Sequence, residues 1–532
     1  MSIHSTVKDQ PTPTQDPVAD ATRRWDVRAG AAAVYDKVTT KHGWVGDYDY
    51  AWLCTPTLPF SWPPGRRSKG KQRKRAPPFY ALDSELPILL AFTSGLQHAL
   101  AMLAGLITPP IIFANTLNLD AEMSAYMISA SLIGCGILSF VQMSRIHLFK
   151  NYYLGTGLLS VVGTSFSTLS TADAIFSAMY ADGTCPSTTA SDGTVTKGPC
   201  PDAYGMVLGT SLICAFLEIF MSFVPARRLQ RIFPPMVTGT VILMIGASLV
   251  GSSGIPDWGG GSNCQGRPTT GEFQLCPSNS APRPALWGSP EMIGLGFLSF
   301  ISIILTELFG SPFLKNISII VGLVVGCIVS GAAGYIDGSS ITTAPAITFL
   351  WVHTFKIRVY PPAILPMLAV YISVAMEAIG DITASAEVSR VAVDGEEFDT
   401  RIQGGVLSDG VGGFFSALFT VAPLSLFAQV LLSYTRFTRR DRFVLAAALS
   451  FGIGDLLVPD VFTYLFDSVQ HPNKGLQGLF NSITIILSTP FLVAGIVAVV
   501  LNLILPQEDA PDGDDDDGVE VVDVEADATE KH

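Results

Sequence analysis

Single ionisable or amide side chains recur inside long apolar runs of this chain: His98, Glu218, Glu307, Glu377, Asp381, Asp409 and Gln429. Such groups are costly in apolar surroundings, and by default they mark a path for polar cargo or protons. Glu377 and Asp381 are four residues apart and so share one helix face, one turn apart. Two carboxylates placed that closely at low dielectric repel each other. That suits a site which takes up and releases a proton. A carboxyl that only bonds neighbouring backbone is the alternative for each of these acids, and for Glu218 and Glu307 it is the reading adopted. His98 is open between bridging two helices and touching a ligand.

The elements that carry these residues are apolar runs long enough to cross a bilayer. They fall near 86–107, 123–143, 152–171, 203–224, 232–252, 290–309, 316–336, 361–383, 404–421, 442–463 and 479–504. A doubtful stretch lies at 422–436. Basic residues cluster before the first run (Arg66 to Arg75) and after the second, fourth, sixth and eighth, which sets the N-terminus in the cytoplasm by the positive-inside rule. Arg436, Arg439, Arg440 and Arg442 would then sit on the wrong side unless the chain crosses once more between 422 and 436. A partly extended lead-in could do so, giving twelve crossings and a cytoplasmic C-terminus.

With 48% hydrophobic and 14% charged residues in 532, the chain is too apolar for an ordinary soluble enzyme, a disordered protein or a nucleic-acid binder. The net charge of −13 misleads, because the residues after Pro506 hold twelve acids against Lys531 alone. They read as a disordered acidic tail. The expected divisions are a cytoplasmic tail over 1–80, a transmembrane domain over 81–506 and the acidic tail over 507–532. Cys185 and Cys200 share one outward loop, and Cys264 and Cys276 another. Each pair could close a disulfide or stay free. The Gly- and Ser-rich run from Gly155 to Ser167 admits either tight helix packing or a broken helix, and Pro423 disfavours an unbroken helix before Gln429.

Together these residues resemble the nucleobase–ascorbate transporter family, and within it the fungal uric acid–xanthine permeases. The likeness rests on Asp47-Tyr48-Asp49-Tyr50, Gln97-His98, Gly163-Thr164-Ser165-Phe166-Ser167, Glu377 and Gly380-Asp381. It continues through Arg401-Ile402-Gln403-Gly404, Asp409-Gly410, Phe427-Ala428-Gln429, Phe437-Thr438-Arg439-Arg440 and Thr489 with Phe491. The resemblance implies an all-α polytopic transporter of core-plus-gate type. Its fourteen segments form two inverted repeats of seven, and substrate lies between two short extended stretches. It implies that Glu377 and Gln429 hold a purine, with Thr164, Ser165, Phe166 and Ala428 lining the site. Asp409, Asp381 and His98 would serve transport, Asp409 as the proton-coupling carboxylate. Thr489 and Phe491 would form a substrate-filtering gate, and Asp47, Tyr48, Asp49 and Tyr50 would serve folding and export. A plasma-membrane homodimer follows, needing lipid and a proton but no cofactor or nucleic acid.

The sequence departs from the family pattern in one place. Gln429 is followed by Val430-Leu431-Leu432-Ser433-Tyr434-Thr435-Arg436 and at once by the string that normally opens the thirteenth segment. About sixty residues, with two to three segments, are missing by that comparison. A non-transporting homologue that pairs with an intact carrier, or a faulty gene model, is therefore the alternative to a proton-coupled carrier of xanthine or uric acid.

Overall fold

Apolar runs without a β-branched, turn-rich interruption coil into helices, since in a bilayer only a helix satisfies its own backbone. The molecule is represented by a computed structural model that describes residues 37–46, 50–56, 86–189, 195–250, 254, 258, 260, 264–265, 283, 285–286, 288–336, 348–421, 424–427, 439–458, 465–466 and 474–505. Its long helices are α1 (Ile88–Thr116), α2 (Ala121–Met143), α3 (Phe166–Ala181), α4 (Pro201–Met221), α5 (Pro235–Leu249), α6 (Pro290–Phe309), α7 (Ser318–Ala332), α8 (Ile364–Val388), α9 (Glu396–Leu418), α10 (Arg439–Leu457), α11 (Lys474–Leu487) and α12 (Pro490–Ile504). Their starts are chemically marked. The Asp120 side chain caps α2 by accepting from the Met123 N–H, 2.8 Å, and Pro201, Pro290 and Pro490 open α4, α6 and α12, where a missing N–H costs nothing. Three acids, Glu396, Glu397 and Asp399, occupy the first turn of α9, where the helix dipole favours them.

Short strands interrupt this helical order, and two of them, far apart in sequence, pair with each other. β1 (Val161–Thr164) pairs antiparallel with β2 (Leu424–Phe427), Val161 opposite Phe427 and Thr164 opposite Leu424. Backbone that is neither helical nor hydrated must find partners, and here each stretch satisfies the other. Neighbouring side chains supply more: the Val162 N–H donates to Ser139 Oγ at 2.9 Å, and Cys135 Sγ donates to the Val162 carbonyl. The order α1, α2, β1 recurs as α8, α9, β2, and α1 and α2 pack against β1 as α8 and α9 pack against β2. Antiparallel pairing of the two equivalent strands is what a two-fold axis in the membrane plane requires, so the inverted repeat is visible in the register itself.

The main core lies among α1 to α5, α8 and α12, with Phe113, Phe176, Met244, Tyr371 and Phe491 fully buried. Phe113 meets Phe176 edge-on at 5.8 Å, the geometry aromatic quadrupoles prefer. The α6–α7 pair packs mainly on itself and touches α1. Its outer residues Phe297, Ile301, Leu305 and Ile328 are exposed, as lipid-facing side chains are.

Several expected spans are redrawn. The run at 152–171 is not a helix: it passes through a short strand at Tyr152–Leu154 and β1 before α3 begins at Phe166. Helix therefore occupies the first part of what read as an outer loop from 172. The run at 479–504 is two helices, bent by 84° between Leu487 and Pro490. Against twelve expected crossings, five helices among the described residues are individually long and apolar enough, or six if the bent pair counts once. Of the others, α3 has 16 residues because β1 takes up part of its path, and α5, α7 and α12 have 15 each, which reach only about 22 Å of a core about 30 Å thick. Cys185 and Cys200 are disulfide-bonded. Cys276 lies outside the described residues.

Candidate functional site

The site grows from the paired strands outward. Thr164 closes β1 and Ser165 stands at the N-cap position of α3 without a side-chain capping bond; both are buried, at 1% and 3% exposure, and Phe166 beside them is half-buried. The Thr164 hydroxyl meets no hydrogen-bonding partner among the described residues, and Ser165 Oγ lies against Ser167 Oγ. On the other strand the described residues end at Phe427. Ala428 and Gln429 are the next two positions, outside the described residues, so their placement rests on sequence alone.

Three acids come from three helices that pack on one another, α4, α8 and α9, of which α8 and α9 also pack on β2. Glu377 on α8 is half-buried, while Asp409 on α9 and Glu218 on α4 are fully buried. The Glu218 and Asp409 carboxyls face each other, with Glu377 near enough to act on Glu218 electrostatically. Glycine makes this approach possible. A Cβ on Gly410, next to Asp409, would lie 2.8 Å from the Ile219 nitrogen on α4, and one on Gly413 would lie 2.8 Å from the Tyr371 hydroxyl on α8. Tyr371 in turn hydrogen-bonds Ser211 of α4 at 2.6 Å. Glu218, read from sequence as structural, thus belongs to the cluster. The signal was the stripe Ser211, Cys214, Glu218 at helical spacing on one face of an otherwise apolar helix.

Asp381 is buried one turn beyond Glu377. His98 is exposed on α1, and its neighbour Gln97 is the buried member of that pair, reaching the Phe313 carbonyl at 3.4 Å. Thr489 and Phe491 are both buried in the sharp bend between α11 and α12, where Thr489 Oγ1 donates to the Ile485 carbonyl at 2.7 Å. Glu307 accepts from Ser318 Oγ at 2.7 Å and ties α6 to α7. Asp47, Tyr48 and Asp49 lie outside the described residues, while Tyr50 opens a short helix and donates to the Val45 carbonyl, 3.0 Å. An open cleft of about 520 Å³ beside Lys37, Leu86 and Phe92 shares no residue with the acids.

A second polar network holds the lead-in to β1. Arg401, 5% exposed, donates from Nη1 to the Thr156 carbonyl and from Nη2 to Glu397 Oε1, both at 2.8 Å. Arg145 at the end of α2 meets the same Glu397 oxygen at 3.1 Å. The Gly155 N–H bonds the Gly404 carbonyl at 2.9 Å, and the Tyr153 N–H bonds Gln403 Oε1 at 3.0 Å. The string Arg401-Ile402-Gln403-Gly404 is therefore a clamp on the segment before β1.

A family model described as Permease family matches residues 90–472. The chain belongs to that permease family. The permease is 42% identical over 569 residues to the uric acid-xanthine permease of Emericella nidulans, covering 95% of this chain and 94% of the relative. It is 44% identical over 534 residues to the purine permease of the same organism, covering 88% and 89%. The xanthine permease XanQ of Escherichia coli K12 is 28% identical over 491 residues, covering 80% and 93%. Each alignment outruns the stretch of this permease it covers. Since 95% of 532 residues is about 505, about 64 aligned positions lack a counterpart here, and the other two leave about 66 and about 65 by the same reckoning. That constant shortfall matches in size the residues that the strings flanking Val430 leave unaccounted for.

Proposed function

We propose that this permease is a proton-coupled symporter of purines of the xanthine and uric acid type, acting in the plasma membrane as a homodimer with both termini in the cytoplasm. The observation that carries the reading is the pair of extended strands set among helices, with Glu377 on a helix packed against one of them. Relatives over most of the chain carry xanthine, uric acid or purine in their names.

A xanthine or urate rim alternates N–H donors and C=O acceptors. A carboxylate at Glu377 accepts ring N–H bonds, and the Gln429 amide both donates and accepts. Phe166 offers a face for the flat ring, and the hydroxyls of Thr164 and Ser165, with Ala428, line it. Asp409 carries the coupling proton, with Asp381 buried nearby on α8. Thr489 and Phe491 at the bend filter what enters. The proton is cargo as well as driving ion, so no further cofactor is needed.

The shortfall of about 65 positions favours a second reading, a homologue that no longer transports and pairs with an intact carrier. Uptake of radiolabelled xanthine in cells lacking purine transporters separates the two. The first reading expects accumulation that rises as external pH falls. No uptake despite arrival at the plasma membrane would overturn it, and recovery on inserting the relative's residues after Gln429 would identify the missing stretch as the cause.

A further inference from the structure

Glu218 sits where an isolated carboxylate would be hard to keep. It is 0% exposed, and neither carboxyl oxygen meets an N–H or O–H donor among the described residues. What faces it is another carboxyl, that of Asp409, on α9 where a Cβ on the next residue, Gly410, would lie 3.2 Å from the Glu218 carbonyl carbon. Two carboxylates cannot bond each other; a carboxylic acid and a carboxylate can. A buried acid is tolerated only when paired or hydrogen-bonded.

We infer that Glu218 and Asp409 form one acid–carboxylate pair sharing a proton, so that Glu218 is a second, positioning half of the proton-carrying unit. At rest the pair holds one proton and one negative charge. A second proton arriving from outside neutralises it, and releasing that proton to the cytoplasm restores the resting charge. The titratable groups facing Glu218 are Asp409 from α9, Glu377 and Tyr371 from α8, and Cys214 one turn back on α4. On α3 the carboxylate of Asp173 is engaged by Thr116 Oγ1 at 2.9 Å instead. Tyr371 is bonded to Ser211, which fixes the phenol against the pair, and the close approach at Gly410 holds α9 and α4 in register.

The inference deepens the proton-coupling reading and rests on it for its purpose, but its test needs no purine. The full chain in lipid nanodiscs is examined by infrared spectroscopy at pH 7.5, in H2O and in D2O. The protonated-carboxyl C=O band, recognised by its shift in D2O, should lose the intensity of one carboxyl in Glu218→Gln. Asp409→Asn, which replaces the acceptor by an amide, should move that same band in frequency. Should Glu218→Gln fail to fold, the Asp409→Asn shift decides alone. A band unchanged in either folded variant overturns the pair. Xanthine binding is then measured between pH 5.5 and 8.0. A pH dependence of tenfold or more in the natural chain, flattened below threefold in Glu218→Gln, supports the coupling role, and an unaltered pH dependence overturns it. If the natural chain binds no xanthine, the purine reading fails while the band still decides the pair.

Discussion

Replacing Arg401 by alanine should destabilise the permease by about 3 kcal/mol. The side chain is 5% exposed and makes two charge-assisted bonds, to the Thr156 carbonyl and to Glu397, both at 2.8 Å. Losing the bond to the buried carbonyl strands an acceptor and costs about 2 kcal/mol. The ion pair is worth less, about 0.5–1 kcal/mol, because the Glu397 side chain is 60% exposed and screened by water. Arg401→Lys should recover no more than about half, since one ammonium cannot span both acceptors as the guanidinium fork does. In a double-mutant cycle with Glu397→Gln, the coupling between the two residues should stay below about 1 kcal/mol. The assay is equilibrium unfolding in mixed micelles followed by tryptophan fluorescence. An Arg401→Ala variant within about 0.5 kcal/mol of the parent, or a lysine variant equal to it, would refute the clamp on the segment before β1.

Asp455 on α10 is 4% exposed, and neither carboxyl oxygen has a partner among the described residues. Asp455→Leu should therefore stabilise the protein, by about 1–3 kcal/mol in the same unfolding assay. Replacing Cys185 and Cys200 by serine opens a loop of sequence separation 15 and should cost about 2–4 kcal/mol, with the parent falling to the same stability under reductant. Gly410→Ala, which sets a methyl 2.8 Å from the Ile219 nitrogen, should separate α9 from α4 and cost about 1–3 kcal/mol, seen as faster loss of the monodisperse peak on heating.

Much of the fold was readable from hydropathy. The run at 290–309 coincides with α6 and that at 123–143 with nearly all of α2. The extended stretch before Gln429 was hinted at by Pro423, whereas the Gly- and Ser-rich run of the third segment fitted tight helix packing as well as a break, and only the family resemblance pointed to an extended stretch there. Their partnership was not legible in the residues, since the two strands are about 260 residues apart and only pairing in space joins them. The bend at Ser488-Thr489 was masked by apolar residues on either side, although Pro490 marks a helix start. His98 shows the limit of reading a pair: adjacent residues on a helix point about 100° apart, and hydropathy does not say which of Gln97 and His98 faces inward. Glu218 was singled out in the sequence but read as structural, because Asp409, which faces it, lies on another helix.

In the proposed function the half-buried Glu377 on α8 grips a purine next to the paired strands. Equilibrium binding of radiolabelled xanthine to the purified full chain, with uric acid as competitor, tests it in the parent and in Glu377→Gln. The account predicts saturable binding that uric acid displaces and that falls at least tenfold when the carboxylate becomes an amide, with the variant still folded. Binding of equal strength in both, or none in the parent when the same chain is shown to be folded, would contradict it.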